Sequence, residues 1–183
     1  IVSEGFDIGI RVGEPKESNL ISRKIARNRL LIVAAPKFLE KYGCPKTISD
    51  LEHLPAVVYA STGLVFDKVK FWDSDGKQAF INLNTNYKVN EVQLLIETAI
   101  AGSMFTVTTA QMIDNEITEG KLVPIMTDIN LMDYGTFYAV YPHRDAPIKT
   151  KLFIDILKSK IGEDIPVWES KIPDFGNMYN GKN

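Results

Sequence analysis

The stretch from Val89 to Gly102 constrains the fold more than any other, because it encodes a helix with both of its ends. Asn90 is placed to cap the first turn by accepting a backbone N–H, and Gln93 stands at the capping-box position. Val89 and Leu94 are placed as a hydrophobic staple across that cap. Val92, Leu95, Ile96, Ala99 and Ile100 recur at i, i+3, i+4, i+7 and i+8, which lines one helical face. Gly102 can take the left-handed conformation that ends a helix. Phe105-Thr106-Val107-Thr108-Thr109 follows at once and reads as a strand. A capped helix therefore delivers the chain into a strand.

The same alternation runs along the rest of the chain. Residues 7–12 alternate apolar and polar and predict a strand, followed by a polar loop at Glu14–Asn19. Leu30 to Ala35 is continuously apolar, as in a strand buried on both faces. Pro36 opens a short helix that Gly43 ends, with Phe38, Leu39 and Tyr42 inside. Ser49-Asp50-Leu51-Glu52 reads as a capping box for another. Ala56–Tyr59 predicts a strand, and 69–73 and 80–83 predict a hairpin about Asp75-Gly76. Thr109 is expected to cap a helix with Met112, Ile113 and Ile117 inside, ending near Gly120. Pro124 marks 122–125 as a strand end or edge. Phe137–Tyr141 is the last clear strand. Pro147 opens a helix expected to bury Ile148, Leu152, Phe153, Ile156 and Leu157, ended by Gly162. Pro166, Trp168 and Pro173 predict an irregular tail that packs back, with 177–183 frayed. Alternating strands and helices make the class α/β. The first segment has too few strands to complete a layer, and Ile1–Gly5 reads as the tail of a helix. Part of this fold is expected upstream of Ile1.

Composition narrows the function classes. The net charge of −2 gives this chain no strong electrostatic pull toward nucleic acid. No apolar run approaches the ~20 residues of a membrane helix. The single cysteine, Cys44, excludes an internal disulfide and fits a reducing compartment. Nucleophile-elbow, Walker and dinucleotide-binding motifs are missing. His53 and His143 have no metal-ligand spacing, and His53 reads as a helix-end surface residue. Cys44, between Gly43 and Pro45, reads as a turn residue, because nothing adjacent lowers its pKa. Asp73 and Asp75 read as turn chemistry. Lys149, Lys151, Lys158 and Lys160 form a solvated face.

A binding argument remains. In open α/β sheets, ligands lie beyond the carboxyl ends of strands and near helix N-termini. Three such places carry hydroxyls or free backbone donors: Tyr59-Ala60-Ser61-Thr62, Val89-Asn90-Glu91 and Thr108-Thr109. Together they can grip a small polar or anionic ligand, although Glu91 places negative charge at the helix end concerned. Taken singly, Asn90 and Thr109 read as caps.

The order of motifs resembles the effector-binding domain of LysR-type transcriptional regulators. Phe6-Asp7-Ile8-Gly9-Ile10-Arg11-Val12-Gly13-Glu14 is similar to the family's "DvaIRiG" strand, and Leu20–Ile25 to the "sLvarrL" after it. Ala35-Pro36-Lys37-Phe38-Leu39 with Gly43-Cys44-Pro45, and Asp50-Leu51-Glu52-His53-Leu54-Pro55, are similar to "asPaYL…G.P" and "DL..Hp". Val89–Gly102 resembles "vNd…l..a..aG", Glu119–Val123 "..G.Lv", Tyr138–Pro142 "lyavyP" and Phe153–Leu157 "FidfL". The resemblance covers residues 3–161. It implies a two-subdomain, type II periplasmic-binding-protein-like fold, N-terminally incomplete. Subdomain I would hold 1–35 and a return at 139–162, subdomain II would hold 36–138, and 163–183 would be the tail. The crossing strands would lie near Ile32–Ala35 and Ala139–Pro142.

The resemblance further implies a small-molecule effector bound between the subdomains, and the strand-end argument supplies Tyr59, Ser61, Thr62, Asn90, Thr108 and Thr109 as rim or contact residues. DNA would be read by a winged helix-turn-helix upstream and not by this chain. The protein would be a cytoplasmic homodimer or homotetramer, with no membrane partner, no cofactor, no metal and no catalysis. The chain departs from the family's pattern at Gly102-Ser103-Met104, where Gly-x-Gly is usual, and at Thr109, where proline is usual. The tail after 162 runs beyond the usual end. The alternatives are a periplasmic solute-binding protein of the same fold and an enzyme using Cys44.

Overall fold

The computed structural model describes residues 5–13, 20–113, 115–142, 147–162 and 164–179. The Glu14–Asn19 loop, His143, the residues before Gly5 and the last part of the tail, 180–183, fall outside the described residues. Contacts divide the chain into two compact units. Unit 1 holds residues 1–29 and 133–171, and unit 2 holds 30–132 and 172–183. The chain therefore passes from one unit to the other at 29/30, at 132/133 and at 171/172.

Unit 1 is built on three antiparallel strands, β1 (Gly9–Val12), β12 (Gly135–Tyr141) and β2 (Ile21–Asn28), in the order β1-β12-β2. The β12–β2 register slips at Phe137/Tyr138, which leaves Ile25 as an extra residue in β2. That bulge lets both Ile25 and Ala26 turn inward, breaking the alternation. They pack with Ala139, Tyr141 and Ile154, and with half-buried Phe137, Leu157, Ile161 and Trp168.

Helix α4 (Ile148–Ile161) forms where Pro147 predicts it, but its inner face differs from the expected one. Thr150 and Ile154 are buried, whereas Ile148, Leu152, Phe153 and Ile156 are 75%, 55%, 49% and 59% exposed. The helix carries two apolar stripes. Periodicity detects both and cannot say which one meets the sheet.

In unit 2 the Leu30–Ala34 run is β3, buried throughout, between β9 (Thr106–Thr109) and β10 (Val123–Ile125). β3, which the sequence reading groups with the first segment, pairs only with unit 2 strands. Helix α1 (Pro36–Tyr42) follows it, with Phe38 buried as expected and Tyr42 exposed instead of inside. Pro124 lies on an edge strand, as its missing N–H requires. A parallel pair, β4 (Ala56–Ser61) and β8 (Thr85–Val89), joins this sheet through Ala56 and Phe105. Val57 N–H donates to Phe105 O and Phe105 N–H to Pro55 O. β6 (Lys68–Trp72) and β7 (Gln78–Asn82) form the expected hairpin, with β11 (Asn130–Leu131) beside β6. Asp73 Oδ1 accepts from Asp75 N–H and Lys77 N–H and so shapes the hairpin turn. The tail packs back as expected, and it does so as far as Met178 and Tyr179, which are buried and not frayed.

Two caps differ from those expected. Helix α2 (Ile48–His53) is capped two residues before Ser49: Thr47 is the cap, and Thr47 and Asp50 bond reciprocally. The Lys46 and Thr47 backbone N–H groups hold the Asp50 carboxyl below the usual carboxylate range. Helix α3 (Val92–Ile100) is capped at Glu91, not Asn90, without a side-chain bond. Gln93 donates to Glu97 one turn on instead of reaching back. Leu94 is exposed, and Leu95 makes the contact with Val89. Leu95, Ile96 and Ala99 are buried, so the predicted face is the observed one.

Gly102 ends the turn at φ +77, and a Cβ there would overlap the Lys37 side chain. Gly102→Ala is expected to cost about 1–2 kcal/mol, chiefly from the left-handed backbone, because the Lys37 stem can swing aside. Urea unfolding should show a lower midpoint at an unchanged slope.

Candidate functional site

The strands of unit 2 bring the three polar stretches to one end of one sheet. β4, β8 and β9 run in the same direction, so their last residues, Ser61, Val89 and Thr109, share an end. β3 runs against β9 with Leu30 opposite Thr109 and Leu31 opposite Thr108, so β3 begins at that same end. The sheet thus presents three strand ends, the first turn of α3 and the start of β3 together. This is the general position of ligand sites in open α/β sheets.

Each expected residue has a definite place there. Tyr59 is half-buried on β4, against the cluster of Val57, Val89 and Leu95. Ser61 and Thr62 are exposed where the chain doubles back into β5 (Leu64–Val65). Gly63, at φ +78, makes the reversal possible. Asn90 is exposed between β8 and α3 and does not cap that helix. Thr108 and Thr109 are only 6% and 8% exposed.

Thr109 departs most from its expected role. In place of a helix capped by Thr109 there is a single 3-10 turn, Ala110–Met112, and Thr109 makes no capping bond. Met112 is exposed, Ile113 is buried, and Glu116 to Gly120, with Gly120 at φ +69, form turns. The Thr109 hydroxyl is buried with no hydrogen-bond partner. Thr106, in the same run, is committed to the sheet: its hydroxyl donates to Val57 O at 2.9 Å. Sequence reading does not separate these hydroxyls, because only strand pairing decides which one is consumed by a neighbour. It also misses the start of β3 as part of this end, since an all-apolar run carries no polar signal.

The other candidates have structural roles. His53 Nδ1 lies 2.6 Å from Ser49 O and closes the last turn of α2. Cys44 is exposed, with its thiol facing Pro45 O. Among the described residues, no group of three His, Cys, Asp or Glu side chains is arranged to hold a metal ion. None of the described helices is long and apolar enough to cross a membrane.

Known proteins share this architecture. The LysR substrate binding domain family matches residues 1–162. The chain is 26% identical to the HTH-type transcriptional regulator DmlR of Escherichia coli K12, over 91% of this chain and 53% of that one. It is 22% identical to the HTH-type transcriptional regulator CrgA of Neisseria meningitidis, over 90% and 54%. The solved regulatory domain of CrgA superposes with a TM-score of 0.70 at 24% identity, covering 88% of this chain and 78% of that domain. The AphB regulatory domain of Vibrio vulnificus gives 0.69 at 26% identity, covering 85% and 76%. The chain spans about half the length of the curated relatives it matches.

Proposed function

This chain belongs to the LysR substrate-binding domain family, and on that premise we propose that it is the ligand-sensing part of a cytoplasmic DNA-binding transcriptional regulator. A small polar effector binds at the strand ends of unit 2, held by Tyr59, Ser61, Thr62, Asn90, Thr108 and Thr109. DNA is read by a helix-turn-helix domain like the one the relatives are named for, and not by this chain. Full-length copies act as a homodimer or homotetramer. The effector shifts the balance between two arrangements of the two units, through its different affinity for each. The domain works as a sensor and not as a catalyst. The relatives named above are HTH-type regulators, which favours this reading over solute transport.

One observation carries the site: the buried, partnerless hydroxyl of Thr109. Leaving such a group unsatisfied costs about 1–3 kcal/mol, which a hydrogen bond to an effector or to water recovers. Glu91, the residue just before the first turn of α3, opposes an anion at that helix end. Hydroxyls and backbone N–H groups therefore supply the polar contacts.

A thermal-shift screen of small carboxylates and aromatics tests the reading. At 100 times its Kd, a ligand adds about 2.7 kcal/mol to stability. For a chain of this size that is roughly a 5–10 °C rise in Tm. The Ser61→Ala, Thr108→Ala double variant should fold normally and lose most of that rise. A full shift in the double variant would move the site elsewhere.

A further inference from the structure

Residues 164–179 lie past the stretch that the family match covers, and the effector site does not use them. They are nonetheless ordered into two pieces, each anchored in a different unit. The first is helix α5 (Val167–Ser170), in unit 1. Trp168 meets Phe137 edge to face at 6.2 Å. Glu169, whose side chain is only 1% exposed, holds the guanidinium of Arg29 with both oxygens: Arg29 Nε donates to Oε1 at 3.0 Å and Nη2 to Oε2. The second piece ends in a 3-10 segment, Phe175–Tyr179, in unit 2. Ile172, Phe175, Met178 and Tyr179 are buried. The Tyr179 hydroxyl donates to Leu30 O at 2.7 Å.

The two anchor points are consecutive in the chain. Arg29 is the last residue of unit 1 before the first crossing, and Leu30 is the first residue of unit 2 after it. The tail itself passes from unit 1 to unit 2 at Lys171/Ile172. We propose that residues 164–179 form a C-terminal clasp, a third connection that grips both sides of the 29/30 crossing and sets how freely the two units move. Glu169 and Tyr179 are its two fastenings. A tail that merely frayed would not place a carboxylate and a hydroxyl on adjacent residues of a crossing. Leu30 also pairs with Thr109 across β3 and β9. The clasp therefore ends on the residue paired with Thr109, so an effector held by Thr109 would adjoin it. That consequence rests on the effector reading; the clasp itself does not.

The test uses the ligand-free chain, so its failure leaves the effector site untouched. Cys44, exposed in unit 2, is spin-labelled together with a Lys160→Cys substitution on α4 in unit 1. Neither residue belongs to the clasp. Pulsed electron paramagnetic resonance then reads the distribution of distances between the units. Tyr179→Phe removes one oxygen, and Glu169→Gln keeps the side-chain size while removing its charge. Amide exchange across 172–179 should quicken roughly five-fold in Tyr179→Phe, as expected for one lost hydrogen bond. The distance distribution should broaden in Tyr179→Phe and further in the double variant. Faster exchange with an unchanged distribution would reduce the tail to a local stabiliser and overturn the clasp. Should Glu169→Gln fail to fold, the distance distribution of Tyr179→Phe decides between the two outcomes.

Discussion

Glu169→Ala is expected to destabilise the chain by about 3–5 kcal/mol, the usual cost of removing one partner from a buried ion pair. The carboxylate is bidentate, its side chain is 1% exposed, and that of Arg29 is 11% exposed. Exposed pairs give a useful contrast. Lys149 with Asp7, at 2.7 Å and more than half exposed on both sides, should contribute at most about 1 kcal/mol. The size of the Glu169 effect comes from stripping a carboxylate from a desolvated guanidinium, and not from the attraction by itself. Replacing Arg29 and Glu169 together by apolar residues of similar volume should therefore cost much less than either single change. Urea unfolding of the two single variants and the double variant forms the cycle. A loss under about 1 kcal/mol for Glu169→Ala would show that the pair is wetter than its burial implies.

Covering the outer face of α4 is expected to stabilise this chain by several kcal/mol. Ile148, Leu152, Phe153 and Ile156 stand between about half and three-quarters exposed, and Ile10 and Val12 of β1 are likewise bare. Soluble domains seldom leave so much contiguous apolar surface in water. Complete burial of such side chains yields about 1.5–3 kcal/mol each, so covering what remains exposed on four of them yields roughly 5 kcal/mol. That corresponds to a Tm increase of roughly 10–20 °C in a protein of this size. A hydrophobic dye should bind this chain, and Ile156→Gln should weaken that binding while changing stability by no more than about 0.5 kcal/mol. Ile154→Gln, on the buried face, should cost several times more, and a costly Ile156→Gln would sink this account of α4.

Most of the elements are legible directly in residue patterns. Apolar periodicity locates α3, and continuous apolarity locates β3. Turn chemistry at Asp73–Gly76 locates the hairpin. Each of these signals is local: a cap, a stripe or a turn lies within a few residues of what it specifies. The pattern misleads wherever two local solutions are equally good. Asn90 and Glu91 can both open α3, and Ser49 and Thr47 can both open α2. Packing of Leu95 on Val89 in α3, and the reciprocal Thr47–Asp50 bonds in α2, decide between them. The strand β8 is not legible at all, because its residues Asn86, Tyr87 and Lys88 are exposed and lack an apolar pattern.

The candidate site shows the same division. Hydroxyls at 61, 62, 108 and 109 and the amide at 90 are visible as residue types at strand ends. Their convergence depends on the parallel pairing of β4 with β8 and on the bridge from Ala56 to Phe105. Those contacts join residues far apart in the chain, so no window of sequence contains them.

The sequence by itself determined that this chain alternates strands and helices, where most of them begin and end, and to which family it belongs. These properties follow from backbone preference and side-chain periodicity, which act over one or two turns. Tertiary structure alone decided which stripe of α4 is buried, that Thr109 and not Thr106 of β9 is left with a buried, unpaired hydroxyl, and that the tail fastens to Arg29 and Leu30. Each of those depends on which distant surface arrives to consume a hydrogen bond, accept a charge or cover an apolar face. That competition is settled only when the whole chain packs.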